Sequence, residues 1–221
     1  MNYIIVDLEM NPIAEENKAA RKISRNEIIE IGAVIMNENL HILGEFKTLV
    51  KPEYNVCIYK KYENLTGIST QMVSSAPTFA TAYEMFVNWC ESFGTNYEIH
   101  AWSENDYNQI VAEMLLKNYT REDMLTPLSK WFDFQKEYKE TLGLERIMSL
   151  EKALDYAGIA FEGHMHDALW DAKNTAELFA IVRNEERRNS VLKVIMDVLK
   201  PKTCCTLGDL FDFSALRAQL A

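Results

Sequence analysis

Asp7 and Glu9 follow directly on Tyr3-Ile4-Ile5-Val6, and this junction of an apolar run with two carboxylates constrains the chain more than any other feature. Four consecutive β-branched or aromatic residues read as a strand covered on both faces. Continued through Leu8, the strand puts Asp7 and Glu9 on one face, because side chains alternate with a period of two. Like charges that close raise each other's pKa unless a cation lies between them. Hard oxygen ligands at this spacing suit Mg²⁺ or Mn²⁺ rather than zinc. Alone, the pair has a simpler reading, as two strand-end carboxylates facing solvent.

The rest of the pattern predicts a mixed α/β fold. Asn11-Pro12 ends the first strand, and residues 13–27 read as a loop or short surface helix. Strands over 28–36 and 40–50, joined by Asn37-Glu38-Asn39, form a hairpin. Residues 55–76 read as loop and short helix. A helix follows from Thr78 to about Ser92, with Phe79, Tyr83, Phe86, Val87 and Cys90 at spacings of three and four. Glu98–Trp102 is a fourth strand, a helix covers 105–118, and 131–134 is a short fifth strand. Helices near 149–157 and from Asp167 towards Lys200 complete the pattern, the last with a break near Asn184. A hairpin followed by alternating strands and helices gives a mixed five-stranded sheet flanked by helices. With 48% hydrophobic and 25% charged residues, the 221-residue chain builds one core. One domain is expected over 1–200. A tail over 201–221 carries Leu207, Leu210, Phe211, Phe213 and Leu216 to pack back on it.

Two further acids stand at informative places. Asp106 follows the fourth strand near a helix start, where Ser103 or Asn105 serves as cap. An aspartate there ordinarily just complements the helix dipole. Asp171 lies within Ala168-Leu169-Trp170-Asp171-Ala172, among apolar and small residues. A buried mid-helix aspartate is costly unless paired or liganded. His166 precedes it by five residues, with His164 nearby; a lone histidine at a helix start is ordinarily a surface or capping residue. Three of the four acids end elements of the sheet or stand beside its edge, where α/β folds place ligands. Two ions about 3.5–4 Å apart are the expected way to hold four carboxylates in one cleft.

In chain order, Val6-Asp7-Leu8-Glu9, Glu30-Ile31-Gly32-Ala33-Val34, Leu65-Thr66-Gly67-Ile68, Asp106-Tyr107 and His166-Asp167-Ala168-Leu169-Trp170-Asp171-Ala172 resemble the DEDDh 3′→5′ exonucleases. Phe161-Glu162-Gly163 ahead of the histidines is similar to the Eri-1-like branch, and sporulation-inhibitor-type bacterial exonucleases are similar too. The resemblance implies a ribonuclease H-like fold, with Asp7, Glu9, Asp106 and Asp171 as ligands of two Mg²⁺ or Mn²⁺. It implies His166 as general base, chosen over His164 by its spacing to Asp171, and an imidazole titrates near neutrality as that role needs. Attack on the terminal phosphodiester would release nucleoside 5′-monophosphates. Leu8, Met10, Leu65 and Ile68 are implied as the terminal-nucleotide pocket, although core packing is the plainer reading of Leu65 and Ile68. The chain departs from the common pattern at Met10-Asn11-Pro12, where small residues are usual. It departs again at Trp170, whose ring is expected to pack beneath the ligand Asp171.

A formal net charge of −10 argues against a protein that coats nucleic acid or adheres to an anionic membrane. Binding a phosphate backbone then needs local positive charge. Lys18, Arg21, Lys22 and Arg25 supply four basic residues just after Glu9, on one side if the segment is helical. The plainer reading is a solvated loop balanced by Glu15, Glu16 and Glu27. The sequence carries no zinc-finger, KH or RNA-recognition-sheet motif. Single-stranded 3′ ends are the expected partner, RNA favoured over DNA. A homodimer joined through the tail is open. Four cysteines without CxxC spacing read as reduced thiols. With no leader and no 18-residue apolar run, the expected location is cytoplasmic. A non-catalytic binding protein on the same fold and a phosphoesterase for very short oligonucleotides are the alternatives.

Overall fold

In the computed structural model, which describes residues 1–192, β1 (Asn2–Pro12) is the middle strand of five. It pairs antiparallel with β2 (Asn26–Met36), which in turn pairs with β3 (Ile42–Leu49) at one edge. On its other side β1 runs parallel to β4 (Tyr97–Ala101), and β5 (Trp131–Asp133) closes the second edge. The order β3-β2-β1-β4-β5 is the mixed sheet expected from the sequence. The helices are α1 (Lys60–Thr66), α2 (Thr70–Ser74), α3 (Phe79–Ser92), α4 (Glu104–Leu116), α5 (Phe134–Leu142), α6 (Leu150–Tyr156), α7 (Ala168–Arg183) and α8 (Glu185–Val191).

The alternation along β1 sorts the two cores. Ile4, Val6 and Leu8 pack with Phe79, Tyr83, Phe86 and Val87 of α3 and with Ile110 and Met114 of α4. Ile5 turns to the opposite face and packs with side chains of α5, α6 and α7. Tyr3, Asp7 and Glu9 share that second face by the same alternation, so the carboxylates point to the side of the sheet that α7 covers. Each strand and helix that the sequence predicts over residues 78–157 is present, with its ends within two residues of those expected.

Two differences have clear local causes. α5 is an addition to the sequence pattern: Phe134, Tyr138 and Leu142 recur every fourth residue and are all buried. Asp133 caps it by accepting the Lys136 amide at 3.0 Å. The long helix from Asp167 breaks where the sequence places it, at Asn184, which ends α7 and caps α8 by accepting the Arg187 amide. Residues 18–25 contain only a short 3-10 turn at Ala20–Lys22, so the one-sided helical face does not form. The expected continuation of the last helix to Lys200, the packed tail with Cys204 and Cys205, and a dimer through it lie outside the described residues. Among the described residues no helix is long and apolar enough to cross a membrane. Cys57 and Cys90 are free thiols.

Candidate active site

The last parallel pair between β1 and β4 is Val6 with Ala101, so Asp7 and Glu9 stand just past the carboxyl end of that pairing. Crevices at the carboxyl ends of parallel strands are where α/β sheets hold ligands. The chain leaves β4 into α4, whose cap is Ser103: its hydroxyl accepts the Asn105 amide. Asp106 falls in the first turn and is buried. On the opposite side α7 begins at Asp167, whose carboxylate accepts the amides of Leu169 and Trp170. Asp171 lies one turn further, and its Oδ2 accepts the His166 amide at 3.0 Å.

Three elements therefore bring Asp7, Glu9, Asp106 and Asp171 together. One potential ligand atom from each of Glu9, His166 and Asp171 lies within 4.8 Å of the others. The four acids also perturb one another. Burial first, then the charges of Asp106, Asp171, Glu9 and Glu30, push Asp7 well above the usual carboxylate range. Glu9 is pushed up to about 8 by burial and by Asp171, Glu30 and Asp106. Asp106 rises to about 7, mainly through burial, although the Leu8 amide pulls the other way. Burial also takes Asp171 to about 6, against the His166 amide.

Among the described residues, none of these four acids pairs with a lysine or arginine. Other buried acids do: Glu30 has Lys47, and Glu27 and Glu113 share Lys117. A cluster of hard oxygen donors that repel one another, left without any protein cation, fits a divalent metal ion. Asp7, Glu9, His166 and Asp171 line a cleft of about 330 Å³ whose apolar walls are Leu8, Trp102, Leu150, Phe161 and Met165.

Residues 4–179 match the exonuclease (RNase_T) family. The chain belongs to that family. The exonuclease domain is 31% identical over 175 residues to ERI1 exoribonuclease 2 of Xenopus laevis, covering 71% of this chain and 25% of that protein. It is 27% identical over 187 residues to the 3′-5′ exoribonuclease 1 of Rattus norvegicus, covering 80% of this chain and 52% of the relative. The chain thus spans between about a quarter and about half of these curated relatives. Among solved structures, the nuclease domain of 3′hExo, a DEDDh family member bound to rAMP, superposes with a TM-score of 0.70 at 25% identity. That match covers 81% of this chain and 90% of the solved domain. The exonuclease domain has the ribonuclease H-like fold of the DEDDh group.

The residues expected to hold substrate are placed unevenly. Leu8 lines the cleft. Met10 is partly buried against the α3 side of the core. Ile68 is buried with Ile29, Ile58 and Val73, while Leu65 is 40% exposed. Lys18, Lys22 and Arg25 are exposed in the loop after β1, and the Arg21 guanidinium is tied to the Ile13 carbonyl at 3.1 Å. Trp170 lies elsewhere than expected: its ring sits over Gly163 and under the Lys173 ammonium, at 4.6 Å. It lines a separate cavity between α7 and the β2–β3 hairpin, because its helix position turns it away from the acid cleft. Glu30, Lys47 and Asp167 adjoin the site, and the sequence alone assigns them no role. A single acid inside the apolar run of β2 is the available signal for Glu30.

Proposed function

We propose that this exonuclease domain removes nucleoside 5′-monophosphates from the 3′ ends of single-stranded RNA, with two Mg²⁺ or Mn²⁺ ions and His166 as general base. The observation that carries this reading is the convergence of Asp7, Glu9, Asp106 and Asp171 without a protein cation among them. Those four carboxylates would hold the ions. When bound, such ions lower the pKa of a water and stabilise the charge on a leaving oxygen.

The chain's own side chains account for the rest. His166 is exposed and lines the cleft next to Glu9 and Asp171. Its ring accepts one proton from the attacking water as the oxygen bonds to phosphorus, and passes it to solvent. The bond from phosphorus to the 3′-oxygen of the shortened strand breaks, and that oxygen takes up a proton. Leu8, Leu150 and Phe161 would offer apolar surface for a base or sugar, and Met10 and the exposed Leu65 the surface for wedging the terminal nucleotide, whereas Ile68 is buried in the core. Lys18, Arg21, Lys22 and Arg25 would meet the phosphate backbone upstream. RNA is favoured because the curated relatives are named exoribonucleases.

The test is a gel time course on RNA and DNA strands of one sequence, labelled at either end, with Mg²⁺, Mn²⁺ or EDTA. A metal-dependent ladder that shortens from the 3′ end, faster on RNA and lost in Asp7→Ala, is expected. Intact strands under every condition would overturn the polymer exonuclease reading. Cleavage confined to oligonucleotides of a few residues would replace it with a short-oligonucleotide phosphoesterase.

A further inference from the structure

Asp7, Gly32 and Lys47 lie opposite one another across β1, β2 and β3. The middle position has no side chain, and α7 uses the space. A Cβ on Gly32 would stand 2.2 Å from the Ala168 carbonyl carbon and from the Leu169 nitrogen, so the first turn of α7 rests on the β2 backbone. Two residues back, the buried Glu30 accepts the Ala168 amide through Oε2 at 3.0 Å. Its Oε1 is 3.3 Å from Lys47 Nζ, and the same ammonium bonds Asp167 Oδ2. The other oxygen of Asp167 caps α7 at Leu169 and Trp170. Among the described residues, Lys47 is thus the one cation that ties β3, β2 and the start of α7 together.

What it holds is the segment that carries His166 and Asp171. His166 has φ +63°, a left-handed conformation that disfavours a branched or bulky side chain. Such a residue keeps its place only when its surroundings fix it. Asp167, the next residue, is fixed by Lys47 from outside the segment. Lys47 also pairs both acids, Glu30 and Asp167, that stand beside the ion-binding cluster. Without it the ion-binding cluster would face two more uncompensated carboxylates.

Resting on the exonuclease reading above, we propose that Lys47 is a positioning residue for that reaction: its clamp on Glu30 and Asp167 sets His166 and Asp171 against Asp7 and Glu9. The ammonium is half-exposed but Glu30 is buried, so Lys47→Met leaves a buried carboxylate without its cation and costs stability as well. Rate and metal affinity are therefore read per folded protein, with the fraction folded measured alongside.

Two measurements test it on the full chain, with Lys47→Met, Lys47→Arg and the double variant Lys47→Met/Asp167→Asn. One is Mn²⁺ binding by calorimetry, which needs no substrate; the other is cleavage of a 5′-labelled RNA at saturating Mn²⁺. In Lys47→Met the cleavage rate should fall about 10–100-fold, the usual cost of losing a group that orients metal ligands. The RNA concentration at half-saturation should stay within about twofold, because no substrate contact is removed. Lys47→Arg should recover most of the rate, and the double variant should be no slower than Lys47→Met, because the two side chains act as one unit. Wild-type rate and wild-type Mn²⁺ affinity in Lys47→Met would overturn the inference, as would a rate loss matching the loss of folded protein. If wild type binds Mn²⁺ but cuts nothing, the exonuclease reading fails and the clamp is judged on Mn²⁺ alone. An affinity about tenfold weaker in Lys47→Met then supports it, and an unchanged affinity sinks it.

Discussion

The main-chain amide of His166, not its ring, donates to the carboxylate of Asp171, at 3.0 Å. The residue read as general base and the residue read as metal ligand are thereby joined through backbone, and the imidazole stays free for proton transfer. His166→Ala keeps that amide. It should therefore remove the base while leaving Asp171 oriented.

The expected outcome for His166→Ala is a cleavage rate lower by about 10²–10⁴-fold, the usual contribution of a general base. Mn²⁺ affinity should stay within a few-fold, and the thermal midpoint should hardly move, because the side chain is exposed. Calorimetry and single-turnover cleavage check the two halves separately. A large loss of Mn²⁺ binding would mean that the imidazole is itself a ligand.

Metal-free stability should fall as pH rises above neutrality. In the folded chain Asp106 is raised to about 7 and Glu9 to about 8, both mainly by burial. Unfolded carboxylates titrate near 4. Between those limits the native state holds protons that the unfolded state has released. The stabilisation is therefore full below about pH 4 and is lost as pH passes through about 7 and 8. Buried His100 works oppositely, because burial lowers it to about 3, but its effect is complete above about pH 6.5. From pH 6.5 to 8.5 the EDTA-treated protein should lose at least about 1 kcal/mol, or about 2–4 °C of thermal midpoint. Added Mg²⁺ or Mn²⁺ should raise the midpoint more at pH 8 than at pH 6.5. A midpoint that climbs with pH over this window in EDTA would contradict the repulsive cluster.

How much of the fold and the site is legible in the sequence depends on range. Asp7 and Glu9 stand out because they interrupt an apolar strand, and the period of two alone assigns them a common face. Asp106 and its Ser103 cap are local, so the helix start is readable. α5 is not, since Phe134, Tyr138 and Leu142 put only one apolar residue per turn into a polar segment. The basic loop stays irregular because its polar groups bond elsewhere: Arg21 reaches Ile13, and Asn17 reaches the Tyr54 carbonyl. Lys47 and Asp167 are 120 residues apart, and no local pattern announces a pair that only the packing of α7 on β2 creates.

The buried Lys117 is a stability determinant rather than part of the chemistry. Lys117 Nζ lies 2.7 Å from Glu113 and 3.3 Å from Glu27. Glu27 in turn accepts the amides of Glu53, Tyr54 and Asn55, which pins the loop after β3. Lys117→Met leaves two buried carboxylates without their cation, at a cost of about 3–5 kcal/mol. Adding Glu113→Gln should recover part of the loss. Urea denaturation at pH 7 reads both; an unchanged midpoint in Lys117→Met would show that the network is strained rather than stabilising.

The proposed contact of the basic loop with a phosphate backbone does not require a helix. Lys18, Lys22 and Arg25 are exposed, and among the described residues none of them is paired with an acid. They follow β1 directly, so they leave the sheet from the same end as Glu9. Unpaired cations at that position are free to replace counterions on RNA, and each contact contributes about −0.7 to the slope of log affinity against log salt for a single strand. Replacing Lys22 and Arg25 by alanine should therefore flatten the slope by about 1.4 if both meet phosphates. The half-saturating RNA concentration should rise at low salt and differ little at high salt, while the saturated cleavage rate stays unchanged. An unaltered salt slope would assign this loop to the solvated surface.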